Sequence, residues 1–411
     1  MKVPRCKGMW DMLPDDMAKF RRIEEVFQGC LLKWGYEEVR TPTLEYLHLF
    51  TATGTLTPSV LGRVYSFLDW DGWSGERVVL RPEGTIPAAR LYLENFEGNE
   101  ITRLFYVQNT FTFEETGTER RERWQCGAEL IGSNQTPADV ELVLLALEVL
   151  GKMGIGPVEV RLSHAGLIKA LLAELGLGAA EQTEIFDQTL EGNLKALGEI
   201  KTEDVDLKRA LARLLDVRGS SPGFLEEVRA LLGKDRPGLE LSIDNLTSIA
   251  QLLSALGCPY EIDIASGRGF EYYTGVMFQF YVSTERVGGG GRYDDLIPLV
   301  GGPPVPASGF ALYVDKLMAL VKLEERPYIG VLVRSKSGDV KGLRACFEAA
   351  RFLREAGYLA ELDLGQKEVS CYRWILSVSS EGLFCLTDQT TGKKSEVASQ
   401  AELLKVMEGS G

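Results

Sequence analysis

Between Arg103 and Gly132 the chain reads RLFYVQNTFTFEETGTERRERWQCGAELIG. Two strands, LFYVQNTFTF and RWQCGAELIG, flank the polar loop EETGTERRE. A strand pair is marginal in water unless other elements cover it, so the rest of the chain has to supply apolar faces. From about Asp15 to Leu32 it does: Phe20, Ile23, Val26, Phe27, Cys30 and Leu31 fall on one helical face, and Trp34-Gly35 ends the pattern. Tyr36–Glu45 reads as a strand, with Pro42 marking an edge or a bend. Val64–Leu68 and Glu76–Leu80 read as hairpin strands around DWDGWSG, Pro137–Met153 as a helix, and Val158–Leu162 as a strand.

Leu167 to about Leu232 is dominated by charge-rich helical segments broken by Gly, Ser and Pro, and no chemistry is legible there. Leu239–Cys258 returns to a helix, and Tyr260–Ile264 leads into a Gly-Arg-Gly turn. Pro327–Gly411 stands apart: YIGVLV, LRACFEAARFLREAG and YLAELDL alternate strand, helix and strand, the sign of a small α/β unit with a parallel sheet.

A chain of 411 residues is long enough for two or three domains. No apolar run approaches a membrane span, and MKVPRCKGMWDMLP has no signal-peptide apolar region, so neither export nor a membrane is expected. Seven scattered cysteines with no Cys-x-x-Cys, and only two histidines, support neither a disulfide framework nor a zinc site. The expected location is the cytoplasm, with reduced thiols. A net charge of −14 with no basic stripe argues against binding a phosphate backbone.

Four short stretches carry candidate chemistry. In Asp263–Val282, Arg268 stands between glycines ahead of Tyr272-Tyr273, and a guanidinium with two phenols suits a small anionic or aromatic ligand; the plainer reading is a turn before a buried strand. In Arg81-Pro82-Glu83-Gly84-Thr85 the turn presents a carboxylate and a hydroxyl that can take an ammonium group, or that cap a helix. The four glycines of RVGGGGRYDDLI permit close backbone approach and positive φ angles, in a context that is wrong for a dinucleotide fingerprint. His164, at a strand-to-helix junction, reads as a cap or packing residue.

RGFEYYTG resembles the RGLDYY histidine-binding motif of the histidyl-tRNA synthetase family, which are class II aminoacyl-tRNA synthetases, and the likeness runs from KGMWDMLP into the C-terminal domain. The resemblance implies an α+β fold, with a class II synthetase-like antiparallel sheet and flanking helices over 1–165 and 238–324. It also implies a helical insertion at 166–237, an anticodon-binding-like α/β domain at 325–411, and a homodimer through the first class II motif. By the same resemblance Glu83, Thr85, Gln125, Glu129, Arg268, Tyr272 and Tyr273 hold histidine, and GGRYDDL lies at the pocket floor.

The nucleotide half departs from the family pattern. Where the synthetases carry Phe-Arg-x-Glu the chain has Phe111-Thr112-Phe113-Glu114, and Arg123 stands where a phenylalanine stacks on adenine. In the third motif Tyr313 replaces a glycine and Lys316 replaces the ATP-contacting arginine. Threonine offers no charged fork, and losing such a stabiliser costs on the order of a hundredfold in rate or more. The pattern resembles the family's non-aminoacylating branch, the regulatory subunit of ATP phosphoribosyltransferase. That branch implies no catalytic residues, no cofactor and no metal, with histidine and a catalytic ATP phosphoribosyltransferase subunit as partners and no tRNA. Two readings stay open beside it: a divergent histidine–tRNA ligase using ATP and magnesium, and an interaction protein that keeps the fold without a ligand.

Overall fold

The computed structural model describes residues 3–53, 62–70, 75–114, 119–178, 181, 185, 209, 213, 217–232, 237–264, 272–323, 330–365 and 372–409. Arg268 and the turn expected around it, most of the stretch between 179 and 216, and residues 71–74 and 115–118 lie outside the described residues. The chain divides into two compact units, Met1–Lys322 and Leu323–Gly411.

The first unit begins with α1 (Pro14–Lys33), β1 (Glu37–Glu38), β2 (Leu44–Tyr46), α2 (Leu47–Ala52), β3 (Ser66–Trp70), β4 (Gly75–Leu80) and α3 (Thr85–Asn95). There follow β5 (Thr102–Phe111), β6 (Glu122–Ile131), α4 (Thr136–Lys152), β7 (Glu159–His164), α5 (Ala165–Glu174), β8 (Arg218–Gly219), α6 (Pro222–Leu232) and α7 (Pro237–Ala255). It closes with β9 (Glu261–Asp263), β10 (Val276–Val282), β11 (Glu285–Arg292), α8 (Leu296–Leu299), β12 (Ala307–Tyr313) and α9 (Val314–Leu320). Among the described residues the main sheet has nine strands in the order β1-β5-β6-β12-β11-β10-β7-β9-β8. Only β1 beside β5 and β7 beside β9 run parallel. A three-stranded sheet, β2-β4-β3, is separate.

The helix expected near the N-terminus forms because its apolar residues recur at helical spacing and its ends are marked. Pro14, Asp15 and Asp16 occupy the first turn, and Gly35 takes a φ of +79° just past the last residue. Phe20, Ile23, Phe27, Cys30 and Leu31 are buried against the sheet. Phe27 meets Phe105 edge-on at 5.9 Å and Phe310 at 6.4 Å, and burying a ring of this size contributes roughly 2–3 kcal/mol.

Two local expectations are corrected and a third is narrowed. Tyr36–Glu45 is not one strand: only Glu37–Glu38 and Leu44–Tyr46 pair. Between them the guanidinium of Arg81 takes the carbonyls of Thr41 at 2.7 Å and Pro42 at 3.1 Å, bonds that a ladder would otherwise use. Of the two liberties the glycine run permits, positive φ is not used: Gly288–Gly291 all lie extended within β11. What they supply is thinness, since a Cβ on Gly291 would sit 2.5 Å from the Val276 carbonyl and one on Gly288 2.7 Å from that of Ala311. The hairpin strand placed at Val64–Leu68 is shifted two residues on, to Ser66–Trp70.

The second unit comprises β13 (Gly330–Ser335), α10 (Val340–Glu355), β14 (Leu359–Leu362), β15 (Trp374–Val378), β16 (Phe384–Asp388), β17 (Lys394–Val397) and α11 (Gln400–Glu408). Its sheet, β14-β13-β15-β16-β17, is mixed rather than parallel throughout. β13 pairs parallel with β14 and β15, while β15, β16 and β17 pair antiparallel, because the short links between them cannot carry a crossover. Among the described residues no helix is long and apolar enough to cross a membrane.

Candidate functional site

Glu83 sits on the turn from β4 into α3, and the turn is held from beneath by Arg81, which is only 3% exposed. Besides Thr41 and Pro42, the guanidinium binds the Asn109 carbonyl at 2.7 Å and its side-chain oxygen at 2.8 Å, tying the turn to β5. A buried cation solvated by carbonyls in this way is a rigid mount, since removing it strands several acceptors. The two carboxylate oxygens of Glu83 accept from the backbone N–H of Thr85 and Ile86, each at 2.7 Å. Glu83 therefore caps α3 while its remaining lone pairs face a cavity.

Gln125, Tyr272, Tyr273 and Tyr293 line the same cavity with Glu83 and Thr85. β6 carries Gln125 and Glu129 on one face, four residues apart along an alternating strand. Glu129, 1% exposed, accepts from the hydroxyl of Tyr106 at 3.0 Å and from that of Tyr293. Tyr272 packs edge-on against Tyr273 at 5.3 Å and Tyr293 at 5.7 Å. Gly309, across from Glu129 in β12, leaves room for that carboxylate, which a Cβ there would overlap. Gly84 does the same for the ring of Tyr106.

Burial sets the protonation of this group. Glu83 still faces the cavity but is otherwise surrounded by protein; desolvation pushes its carboxyl up to about 7, against the downward pull of its two backbone bonds. Glu129 is pushed up to about 8, again by burial first, with hydrogen bonds from Tyr293, Thr85 and Tyr106 opposing and the Glu83 charge adding to the rise. The phenols of Tyr106, Tyr272, Tyr273 and Tyr293 are all driven well above their ordinary value by burial. Two carboxyls wrapped in neutral hydroxyls make a pocket that favours a cationic group arriving from water.

The structure thus brings together Glu83, Thr85, Gln125, Glu129, Tyr272 and Tyr273, while Arg268 lies outside the described residues. Sequence reasoning assigned no role to Tyr106 and Tyr293, the two phenols bound to Glu129. Tyr293 stands in the quoted GGRYDDL element, but nothing in its spacing says that its hydroxyl meets β6. Gln108, paired across from Gln125, buries an amide Nε2 that has no acceptor among the described residues.

At the positions where the family carries its nucleotide clamps, the chain has Thr112, Arg123, Tyr313 and Lys316. The backbone N–H of Thr112 donates to the Arg121 carbonyl at 2.8 Å. Lys316 pairs with Glu285 at 2.7 Å on the surface, and Arg123 pairs with Glu119 at 3.0 Å. The ring of Tyr313 lies 5.7 Å beneath the Arg286 guanidinium. Among the described residues no group of three His, Cys, Asp or Glu side chains is placed to hold a metal ion. His164 caps α5, its Nδ1 accepting from the N–H of Leu167 at 3.2 Å.

Comparison with known proteins places this geometry. Residues 8–317 match the histidyl-tRNA synthetase family. The ATP phosphoribosyltransferase regulatory subunit of Dehalococcoides mccartyi is 48% identical over 410 residues, covering 99% of each chain. The histidine–tRNA ligase of Archaeoglobus fulgidus is 33% identical over 380 residues, covering 89% of this chain and 86% of its own. A crystal structure described as an ATP phosphoribosyltransferase regulatory subunit/histidyl-tRNA synthetase from Bacillus halodurans superposes with a TM-score of 0.78 at 25% identity, over 92% of this chain and 99% of that one. With its class II sheet, its paired carboxyls and this breadth of similarity, the chain belongs to the histidyl-tRNA synthetase family.

Proposed function

We propose that this protein is the regulatory subunit of an ATP phosphoribosyltransferase, that it binds free histidine in the cavity beside Glu83 and Glu129, and that it does not aminoacylate. The observation that carries the reading is the division of the cleft. The acids and phenols that suit an amino acid are gathered and braced, whereas Thr112 is uncharged and Lys316 is paired with Glu285. Near full-length identity of 48% to proteins named as that regulatory subunit supports it.

In this reading the α-ammonium of histidine takes the cavity-facing lone pairs of Glu83 and the Thr85 hydroxyl, and Glu129 receives an imidazole N–H. The cavity has a volume of about 10 Å³, the room of roughly one water. Admitting an amino acid therefore requires the lining to open, and we assign that movement to Tyr272 and Tyr273, just ahead of β10, so that occupancy is linked to their conformation. A ligand that binds one arrangement of that pair better than another shifts the population between them, and a docked catalytic subunit would respond to that shift. Pairing of two copies through the surface formed by α1 and β2 completes the proposal.

The test is histidine-dependent ATP–pyrophosphate exchange run beside calorimetry with histidine and capture of a catalytic ATP phosphoribosyltransferase. Histidine binding and capture without exchange are the expected results. Robust exchange would instead identify a divergent histidine–tRNA ligase.

A further inference from the structure

We propose that the amino acid enters this cavity in exchange for protons: its α-ammonium takes the place of protons that Glu83 and Glu129 hold between them, so binding acidifies the solution and tightens as pH rises. This rests on the reading of the cavity as an amino-acid site and adds a dependence on pH to its regulation.

Among the described residues the donors to both carboxyls are neutral. Glu83 takes the backbone N–H of Thr85 and Ile86 and the hydroxyls of Thr85 and Tyr272. Glu129 takes the hydroxyls of Tyr106, Tyr293 and Thr85. Thr85 therefore reaches both acids, yet its single hydroxyl hydrogen serves one at a time. On β12, Glu129 lies against Gly309, which adds no polar side chain. The nearby cations do not alter this. On β11 the pairing slips from Gly288–Phe280 to Arg286–Tyr281, which leaves Val287 extra and turns Arg286 onto the face of Gly289. Its guanidinium lies over Gly289 and the Tyr313 ring, and its charge acts on the Tyr273 phenol. Arg81 is taken up by carbonyls beneath the turn, Arg292 by Asp139 and Arg120 by Asp315.

The space between the acids is too small to supply a counter-charge from solvent. A volume of about 10 Å³ holds roughly one water, not a hydrated cation. Two carboxylates that face only hydroxyls and amides, with so little water, lose hydration and repel each other, so the pair keeps protons instead. Burial accordingly pushes Glu83 to about 7 and Glu129 to about 8, and the Glu83 charge adds to the rise at Glu129. Sites that interact this closely share their protons as a pair. An ammonium reverses the balance, because it brings the positive charge and several N–H donors at once. As the ligand seats, the carboxyl O–H bonds break and the protons pass to water or buffer. The ammonium N–H groups take the freed lone pairs of Glu83, and Glu129 is left ionised to accept from the ring N–H.

The test is calorimetry with histidine and with its 1,2,4-triazole analogue, whose ring takes up no proton near neutral pH. Each is titrated at pH 7 and pH 8 in phosphate and in Tris, buffers with different ionisation enthalpies, so that the difference in heat counts the protons released. The expected result for both ligands is release of roughly one proton at pH 7 and about half as much at pH 8. Affinity should tighten by about 3- to 10-fold over that unit. In Glu129→Gln about half of the release at pH 7 should disappear. Equal heats in the two buffers, or an affinity unchanged between pH 7 and pH 8, overturn the inference, since the carboxyls would then be ionised before the ligand arrives or protonated after it. Failure of the parent protein to bind histidine at either pH is a different outcome, which refutes the amino-acid reading itself.

Discussion

Replacing Glu129 with glutamine should strengthen the protein and weaken its site. Glu129 is 1% exposed and is held by the hydroxyls of Tyr106 and Tyr293. Its carboxyl rises from an ordinary 4.5 to about 8. Between those values the folded chain holds a proton that the unfolded chain releases, so stability falls as pH climbs from about 4.5 to about 8 and then levels off. The full loss from this group is ~5 kcal/mol at 1.36 kcal/mol per pH unit. Glutamine has nearly the same shape and cannot ionise. Its carbonyl accepts from one phenol, while the other hydroxyl rotates to accept from the amide.

Urea unfolding of Glu129→Gln should therefore give a flatter dependence on pH. The variant should be more stable than the parent by ~2–4 kcal/mol at pH 9 and nearly equal to it at pH 5, after discounting the weaker neutral hydrogen bonds. Histidine affinity measured on the same variant at pH 9, where the parent's carboxyl is ionised, should fall by about 10- to 100-fold, because a charge-assisted contact is gone. A variant no more stable than its parent at pH 9, with parallel pH curves, would refute the claim that burial keeps this carboxyl protonated.

Further outcomes follow from packing and electrostatics elsewhere. Arg292→Met should destabilise by ~3–5 kcal/mol in denaturant titration, because it strands Asp139, which is 1% exposed and bound bidentately at 2.9 and 3.2 Å. Gly290→Ala should lower the melting temperature through a loss of ~1–3 kcal/mol or more, since its methyl would collide with the Gly309 carbonyl across the sheet. The imidazole of His164, pushed down to about 4 chiefly by burial, should show no NMR titration between pH 5.5 and 8. Its contribution to stability is present above its unfolded value near 6.5 and is lost as pH falls toward 4.

Local chemistry made much of this chain legible. The helix that became α1 could be read because burial repeats at 3.6 residues and Pro14 and Gly35 bracket it, and β5 and β6 because their apolar runs have no other use. Glu83 and Thr85 were legible because a proline and a glycine pin them within one turn. The missing nucleotide arginines could be read directly as residue types at Thr112 and Lys316. Long-range partners were not legible. The carbonyls of Thr41 and Pro42 are taken by Arg81, some forty positions away, and so the strand expected across them breaks.

The contacts of Tyr106 and Tyr293 were hidden for the same reason: their hydroxyls meet Glu129 only once β5, β6, β12 and β11 lie side by side, with Tyr293 just past the end of β11. The glycine run permits close approach as well as positive φ, and only the crowding by neighbouring carbonyls shows that it serves as a thin stretch of strand. The direction of Arg286 depends on a single unpaired residue in β11. The sequence by itself determined the helix α1, the strands β5 and β6, and which charged groups the cleft has lost, because those follow from residue type and short-range spacing. Only the tertiary structure decided which carboxyls stay protonated, which strand breaks and which way an arginine points, because each depends on neighbours that the chain brings close from far along its length.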